Sequence, residues 1–173
     1  MSDTLVTVIA IGLAAILMFV FPLMTMSDRT DDVSQLTVET ATTEFVDQVR
    51  TTGKITADKY SKFLESIGST GNTYNVEMEV KVLDENPGKK TTQTTVDTIG
   101  ENVYYSVYTS QIEETLNKEQ PYKLKEGDIV SVSVKNTNQT LAQQLKNFFY
   151  TVVGNDTYTI AASHGGIVTA TGK

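Results

Sequence analysis

The chain has 173 residues, a formal net charge of −7 and neither cysteine nor tryptophan. That length allows one modest core beyond any terminal segment, and the missing cysteines exclude disulfides and thiolate metal sites. Scattered lysines in an acidic chain argue against nucleic acid as a partner, because the sequence-independent part of such binding needs clustered Lys and Arg.

The first element runs from Thr4 to Met26, TLVTVIAIGLAAILMFVFPLMTM, without a charged residue. A helix rises about 1.5 Å per residue, so a bilayer core of roughly 30 Å needs about 20 apolar residues. Three readings compete for it. A cleaved signal peptide needs a basic n-region, a shorter apolar core and a small-residue cleavage site. Met1-Ser2-Asp3 is acidic instead, and Leu23-Met24-Thr25-Met26 carries no A-x-A pattern. A buried helix of a soluble protein shows a polar stripe, and here only Thr4, Thr7 and Thr25 are polar. A single-pass anchor fits best. Its orientation is nearly undetermined by the positive-inside rule, since Arg29 sits among Asp28, Asp31 and Asp32 and the next basic residue is Arg50.

Leu5, Val8, Ile9, Gly12, Leu13, Ala15, Ile16, Phe19, Val20 and Pro22 form the surface by which this helix meets lipid or another helix. Gly12, Ala14 and Ala15 permit close approach, although no G-x-x-x-G is present. Pro22 removes one helix hydrogen bond and either is tolerated near the interface or loosens the preceding turn.

Beyond the anchor, Val33, Leu36 and Thr40 lie on one stripe, and Ala41, Phe45 and Val49 follow at spacings of four. This predicts a helix from about Asp32 to Arg50, stopped by Gly53. The acidic cluster Asp28, Asp31 and Asp32 favours a new helix beginning near Asp31, although a nearly continuous rod from anchor to domain is also compatible. An EF-hand reading of the cluster fails for want of the loop glycine and distal Glu. A second helix has Thr56 as N-cap, an apolar face of Tyr60, Phe63, Leu64 and Ile67, and Gly68 at its end. After the turn Ser69-Thr70-Gly71-Asn72, the alternation of Tyr74, Val76, Met78, Val80 and Val82 with polar residues predicts a half-buried strand. Asp84 to Gly88 is turn chemistry, followed by a polar stretch to Asn102, a long loop or a poorly packed edge, that holds the solvated pair Lys89-Lys90 and the run Thr91-Thr92-Gln93-Thr94-Thr95.

Val103 to Tyr108 predicts a second strand, and Ser110-Gln111-Ile112-Glu113 reads as a capping box for a helix to about Lys118. Ile129 to Val134 is a third strand. Asn136-Thr137-Asn138 would cap a helix carrying Leu141, Leu145, Phe148, Phe149 and Val152, stopped by Gly154. Two short strands, Tyr158 to Ala162 and Ile167 to Ala170, would close the chain around a Gly165-Gly166 turn. The fold class is therefore α+β: a long N-terminal hydrophobic helix followed by a small, mainly antiparallel β-sheet domain with short helices. Residues 1–27 form the span, 28–53 an amphipathic stem and 54–173 the α+β domain.

Catalytic signals are weak. His164 is the only histidine. Adjacent Ser163 and His164 in a strand point to opposite faces, which does not suit proton transfer between them, and a turn or surface histidine is the simpler reading. No P-loop or GxGxxG occurs. No enzyme activity, cofactor or metal is expected. Core packing accounts for most of Tyr104, Tyr105, Tyr108, Tyr122, Phe148, Phe149 and Tyr150, with a subunit contact as the alternative for exposed tyrosines.

An apolar N-terminal helix, an amphipathic extension and a small antiparallel sheet, in that order, resemble the build of type IV pilins and pseudopilins. The segments EFVDQVRTTGKITADKYSKFLESIGSTGNTYNVEMEV (Glu44 to Val80) and YKLKEGDIVSVSVKNTNQTLAQQLKNFF (Tyr122 to Phe149) are similar to small single-pass proteins of Firmicutes found with tight-adherence (Tad) pilus machinery. Pro22 matches a proline often seen at that depth in pilin helices. The chain departs from the pattern in lacking a basic leader with a peptidase site, and in placing Leu5 where a glutamate is usual. The resemblance implies a structural subunit that packs against copies of itself through its N-terminal helix, with the domain outside the membrane and Tad-type assembly machinery as a partner. Asp3 would then pair with the N-terminal amine of a neighbour, since an unpaired charge in an apolar bundle is costly. The alternative is a monomeric anchored accessory or binding protein at the cell surface.

Overall fold

The computed structural model describes residues 2–84, 104–150 and 160–173. One helix dominates it. It begins as α1 (Ser2–Ala15), passes through a π-helical turn (Ile16–Val20) and continues as α2 (Phe21–Thr52). A two-residue strand β1 (Lys54–Ile55) and helix α3 (Ala57–Gly68) follow, then β2 (Tyr74–Leu83), β3 (Tyr104–Tyr108), α4 (Thr109–Asn117), β4 (Tyr122–Lys123), β5 (Ile129–Asn136), α5 (Leu141–Tyr150) and β6 (Ala161–Ile167). The α+β class expected from the sequence is the class observed.

Four strands form an antiparallel sheet in the order β3-β2-β5-β6, and β1 pairs with β4 in a separate ribbon. Alternation along β2 and β5 sends Met78, Val80, Val130, Val132 and Val134 to one face, where they are buried. The second half of α2 covers that face with Val38, Ala41, Phe45, Val46 and Val49. Phe63 and Ile67 of α3 and Ile112 and Leu116 of α4 join the same core, as do Ile55, Leu124, Ile160 and Val168, with Phe45 and Phe63 stacked at 4.6 Å between ring centroids. Burying side chains of this size contributes about 1.5–3 kcal/mol each, which makes the α2–sheet contact the main source of cohesion.

Several expectations are corrected. No new helix starts near Asp31: the chain is helical through Ser27 and Asp28, and Asp31 is a buried mid-helix residue. Val33 and Leu36 do not share the core stripe with Ala41, Phe45 and Val49. They are 65% and 64% exposed, because the true core phase is Asp31, Ser34, Val38, Ala41, Phe45 and Val49. Gly53 does end the helix, in the left-handed conformation at φ 62°. In α3, Thr56 accepts a hydrogen bond from the Lys59 amide as expected, but Leu64 remains partly exposed.

Helix α4 starts one residue before Ser110, with Gln111 accepting from the Tyr108 amide. Helix α5 is capped by Thr140, which accepts from the Gln143 amide while the Gln143 side chain accepts from the Thr140 amide. Asn136 and Asn138 instead tie neighbouring loops together. Gly165-Gly166 is no turn. It lies inside the single closing strand β6, paired with Ser131 and Val130. A Cβ at Gly165 would sit 2.9 Å from the Val130 carbonyl oxygen, so only glycine fits that approach.

Tyr104, Tyr105 and Tyr108 are exposed rather than core residues, whereas Tyr122 packs against the core. The side chains of Phe148, Phe149 and Tyr150, together with the long loop to Asn102, Val103, Val152, Gly154 and the strand start at Tyr158, lie outside the described residues.

Candidate functional site

The residues singled out for function all belong to the N-terminal helix. One helix, Asp3–Thr52, is long and apolar enough to cross a membrane, and its most apolar window has none of its residues buried by the rest of the chain. Leu5, Val8, Ile9, Leu13, Ile16 and Phe19 are exposed, Val20 is half-exposed and Pro22 is exposed. A Cβ at Gly12 would meet nothing within 4 Å. Among the described residues the fold brings these side chains to no partner of their own chain. They ring a free rod about 36 Å long at about 1.5 Å per residue from Asp3 to Met26.

Local chemistry keeps this rod helical without solvent. The hydroxyl of Thr7 donates to the Asp3 carbonyl at 2.7 Å, and that of Thr25 to the Phe21 carbonyl at 3.1 Å. Thr30 repeats the pattern with the Met26 carbonyl at 3.0 Å. Threonines that return their hydrogen bonds to the preceding turn satisfy their own hydroxyls without water. The π-helical turn Ile16–Val20 ends two residues before Pro22. Proline has no N–H for the carbonyl four residues back, and its ring crowds that carbonyl. A widened turn relieves both problems. Of the two readings of Pro22, the geometry matches a loosened preceding turn.

Below Met26 the helix is gripped along one side. Asp28 pairs with Lys146 of α5 at 2.6 Å. Asp31, 5% exposed, accepts from the Thr140 hydroxyl at 2.6 Å. The Gln35 amide spans the backbone of Ala161, accepting from its N–H at 3.0 Å and donating to its carbonyl at 2.7 Å. At the far end, Arg50 donates from Nε to the Ile167 carbonyl at 2.9 Å and from Nη1 to Asp47 at 2.9 Å. The Thr169 amide donates to the Arg50 carbonyl, and the Leu124 amide to the Gly53 carbonyl. Gly166 leaves room for the guanidinium, since a Cβ there would lie 2.7 Å from Arg50 Cζ.

Among the described residues, nothing covers the opposite side of the same helix. Residues about 100° apart place Leu36 across the helix from Ser34, Val38 and Phe45, and Val33 on the flank about 100–140° round from them. Met26, at 67% exposure, extends that bare apolar side toward the free rod. Asp3 is exposed, and its carbonyl holds Thr7.

His164 sits mid-strand on β6 rather than in a turn, facing α2, with Nε2 3.6 Å from Asp47 Oδ1. Ser163 points to the other face. Among the described residues no group of three His, Asp or Glu is placed to hold a metal ion. In the domain, burial and then the hydrogen bond to Glu113 hold the Tyr60 phenol above its usual range. Burial, followed by the charges of Tyr105 and Asp128, does the same to Tyr122.

The clamp residues Asp31, Gln35 and Thr140 were not identified from the sequence. The one signal for them was the helical phase read backward from Phe45, which puts Val38, Ser34 and Asp31 on the core side. Comparison of the chain with family models, curated proteins and solved structures finds no match.

Proposed function

We propose that this chain is a structural, pilin-like subunit of a bacterial cell-surface filament or secretion apparatus. It is rooted in the membrane by residues 4–26 and assembled through its N-terminal helix, with the domain on the extracytoplasmic side. The observation that carries this reading is the one-sided grip on α2. The domain covers one face of the helix and leaves the other apolar at Met26, Val33 and Leu36, in line with a rod that has no partner among the described residues. In an assembly, burial of that rod against neighbouring copies replaces its burial in lipid, and Asp3 pairs with a neighbour's amino terminus. The machinery that builds it is of the Tad type, on the resemblance alone.

A second reading, a monomeric anchored accessory protein, draws on the internally satisfied threonines, which suit a lipid-facing span equally well. Replacing residues 4–26 by an unrelated apolar span separates the two. A subunit loses assembly, read as filaments in sheared surface material by electron microscopy. A tether keeps its function, and that result overturns the subunit reading.

A further inference from the structure

The sheet has a second face. Helices α2, α3 and α4 pack on the inner one and α5 contacts α2, so that among the described residues no helix covers the outer one. Strand register sets Tyr108, Glu79, Ser131 and Gly165 in one cross-strand row of that face, with Glu77, Ser133 and Ser163 in the next. These rows open into a cleft of about 440 Å³ bounded by Glu77, Glu79, Tyr108, Ser110, Ser131 and Ser133. That volume lies within the range of small-ligand sites.

The chemistry of the cleft is specific. Tyr108 is 58% exposed and supplies an aromatic wall. Glu79 is held by the Ser106 hydroxyl at 2.7 Å and Glu77 by the Asn75 amide at 3.2 Å, each through one carboxylate oxygen. Among the described residues, the hydroxyls of Ser110, Ser131 and Ser133 make no hydrogen bond to another group of the chain. Lys81 and Lys135 lie on the same face, two residues from Glu79 and Ser133, and do not line the cleft. Gly165 keeps the floor of its row open.

We propose that this cleft binds a neutral or N-acetylated pyranose unit of a surface polysaccharide. The tyrosine ring stacks on the C–H face of the sugar. The carboxylates accept from ring hydroxyls, and the serines donate or accept as each hydroxyl requires. The two glutamates repel acidic sugars, which sets the specificity. The site is independent of the N-terminal helix, and its failure leaves the assembly reading untouched.

The test uses the full chain in lipid nanodiscs, because glycoside detergents carry competing sugars. Saturation-transfer NMR is recorded with methyl β-glucoside, methyl β-galactoside, N-acetylglucosamine and glucuronic acid. Transfer to the C–H face of at least one neutral sugar, and none to glucuronate, is expected. Tyr108→Ala weakens binding roughly tenfold, and Tyr104→Ala, outside the cleft, leaves it unchanged. Unaltered near-ultraviolet circular dichroism reports that each variant is folded. Absence of transfer to every neutral sugar, equal transfer to glucuronate, or an affinity unchanged by Tyr108→Ala overturns the proposal.

Discussion

The bare side of α2 makes a prediction that separates folding from assembly. Val33 and Leu36 are each about two-thirds exposed, so on the proposed assembly most of each side chain is available for burial by a neighbour. Full burial of such side chains contributes about 1.5–3 kcal/mol each, and two-thirds of that is about 1–2 kcal/mol per residue. The pair therefore supplies about 2–4 kcal/mol per contact, roughly 30- to 1000-fold in association. Val33→Asp with Leu36→Asp removes this term and sets charges in the seam, so assembly should fall by at least that factor. The domain itself should barely respond, since exposed substitutions away from special features change stability by about 0.5 kcal/mol or less. Phe45→Ala, on the buried side of the same helix, should cost about 3–5 kcal/mol. The assay pairs chemical cross-linking ladders of the full chain in membranes with urea unfolding followed by tyrosine near-ultraviolet circular dichroism. A folded double variant that cross-links like the wild type would refute the assignment of this face to subunit contact. A double variant that fails to fold would refute the helical phase itself.

Three further outcomes test the clamp and the core. Asp31→Ala removes a buried, charge-assisted bond to Thr140 and should cost about 2 kcal/mol, with faster hydrogen exchange in the first turn of α5; an unchanged urea midpoint counts against the clamp. Gly53→Ala forces a side chain into the left-handed region with its Cβ 2.1 Å from the Ala170 carbonyl oxygen, so several kcal/mol should be lost, whereas Gly68→Ala meets nothing and should be neutral or slightly stabilising. Equal effects at the two glycines would contradict the packing of the C-terminal segment on the end of α2. Finally, Tyr60 has its folded pKa raised above the unfolded value of about 10, chiefly by burial. Its contribution is complete below that pH. It is lost as pH rises further, because the unfolded chain then binds fewer protons than the folded one. Lys59, held below the usual lysine range by burial and Lys54, gives a slope of opposite sign in the same window. Tyr60→Phe should therefore flatten the alkaline loss of stability, and an unaltered slope above about pH 10 would show that Tyr60 is not its source.

Much of the secondary structure was legible because local chemistry decides it. Thr56 and Gly68 bracket α3, the alternation from Tyr74 to Val82 marks β2, and Gly53 stops α2. The errors fall where two local signals compete. Gly165-Gly166 has turn chemistry, yet the backbone of Val130 comes so close that glycine is the residue a strand needs there. Asp28, Asp31 and Asp32 look like a helix start, yet Lys146 and Thr140 are supplied by a distant helix and take up two of the carboxylates inside a continuous one. The ribbon of β1 and β4 is two residues long on each side, too short for any periodicity to register.

By itself the sequence determined that residues 4–26 form an apolar helix long enough to span a bilayer, since length and transfer energy are additive along a chain and need no partner. It likewise determined the strand faces and helix stops, which depend on side-chain alternation and backbone sterics. Only the tertiary structure decided which side of the following helix is core and which is bare. Val33, Leu36, Ala41 and Phe45 are all apolar, and two stripes on one helix are equally hydrophobic until a sheet covers one of them. The domain covers the side of Val38 and Phe45 and leaves the side of Val33 and Leu36 exposed.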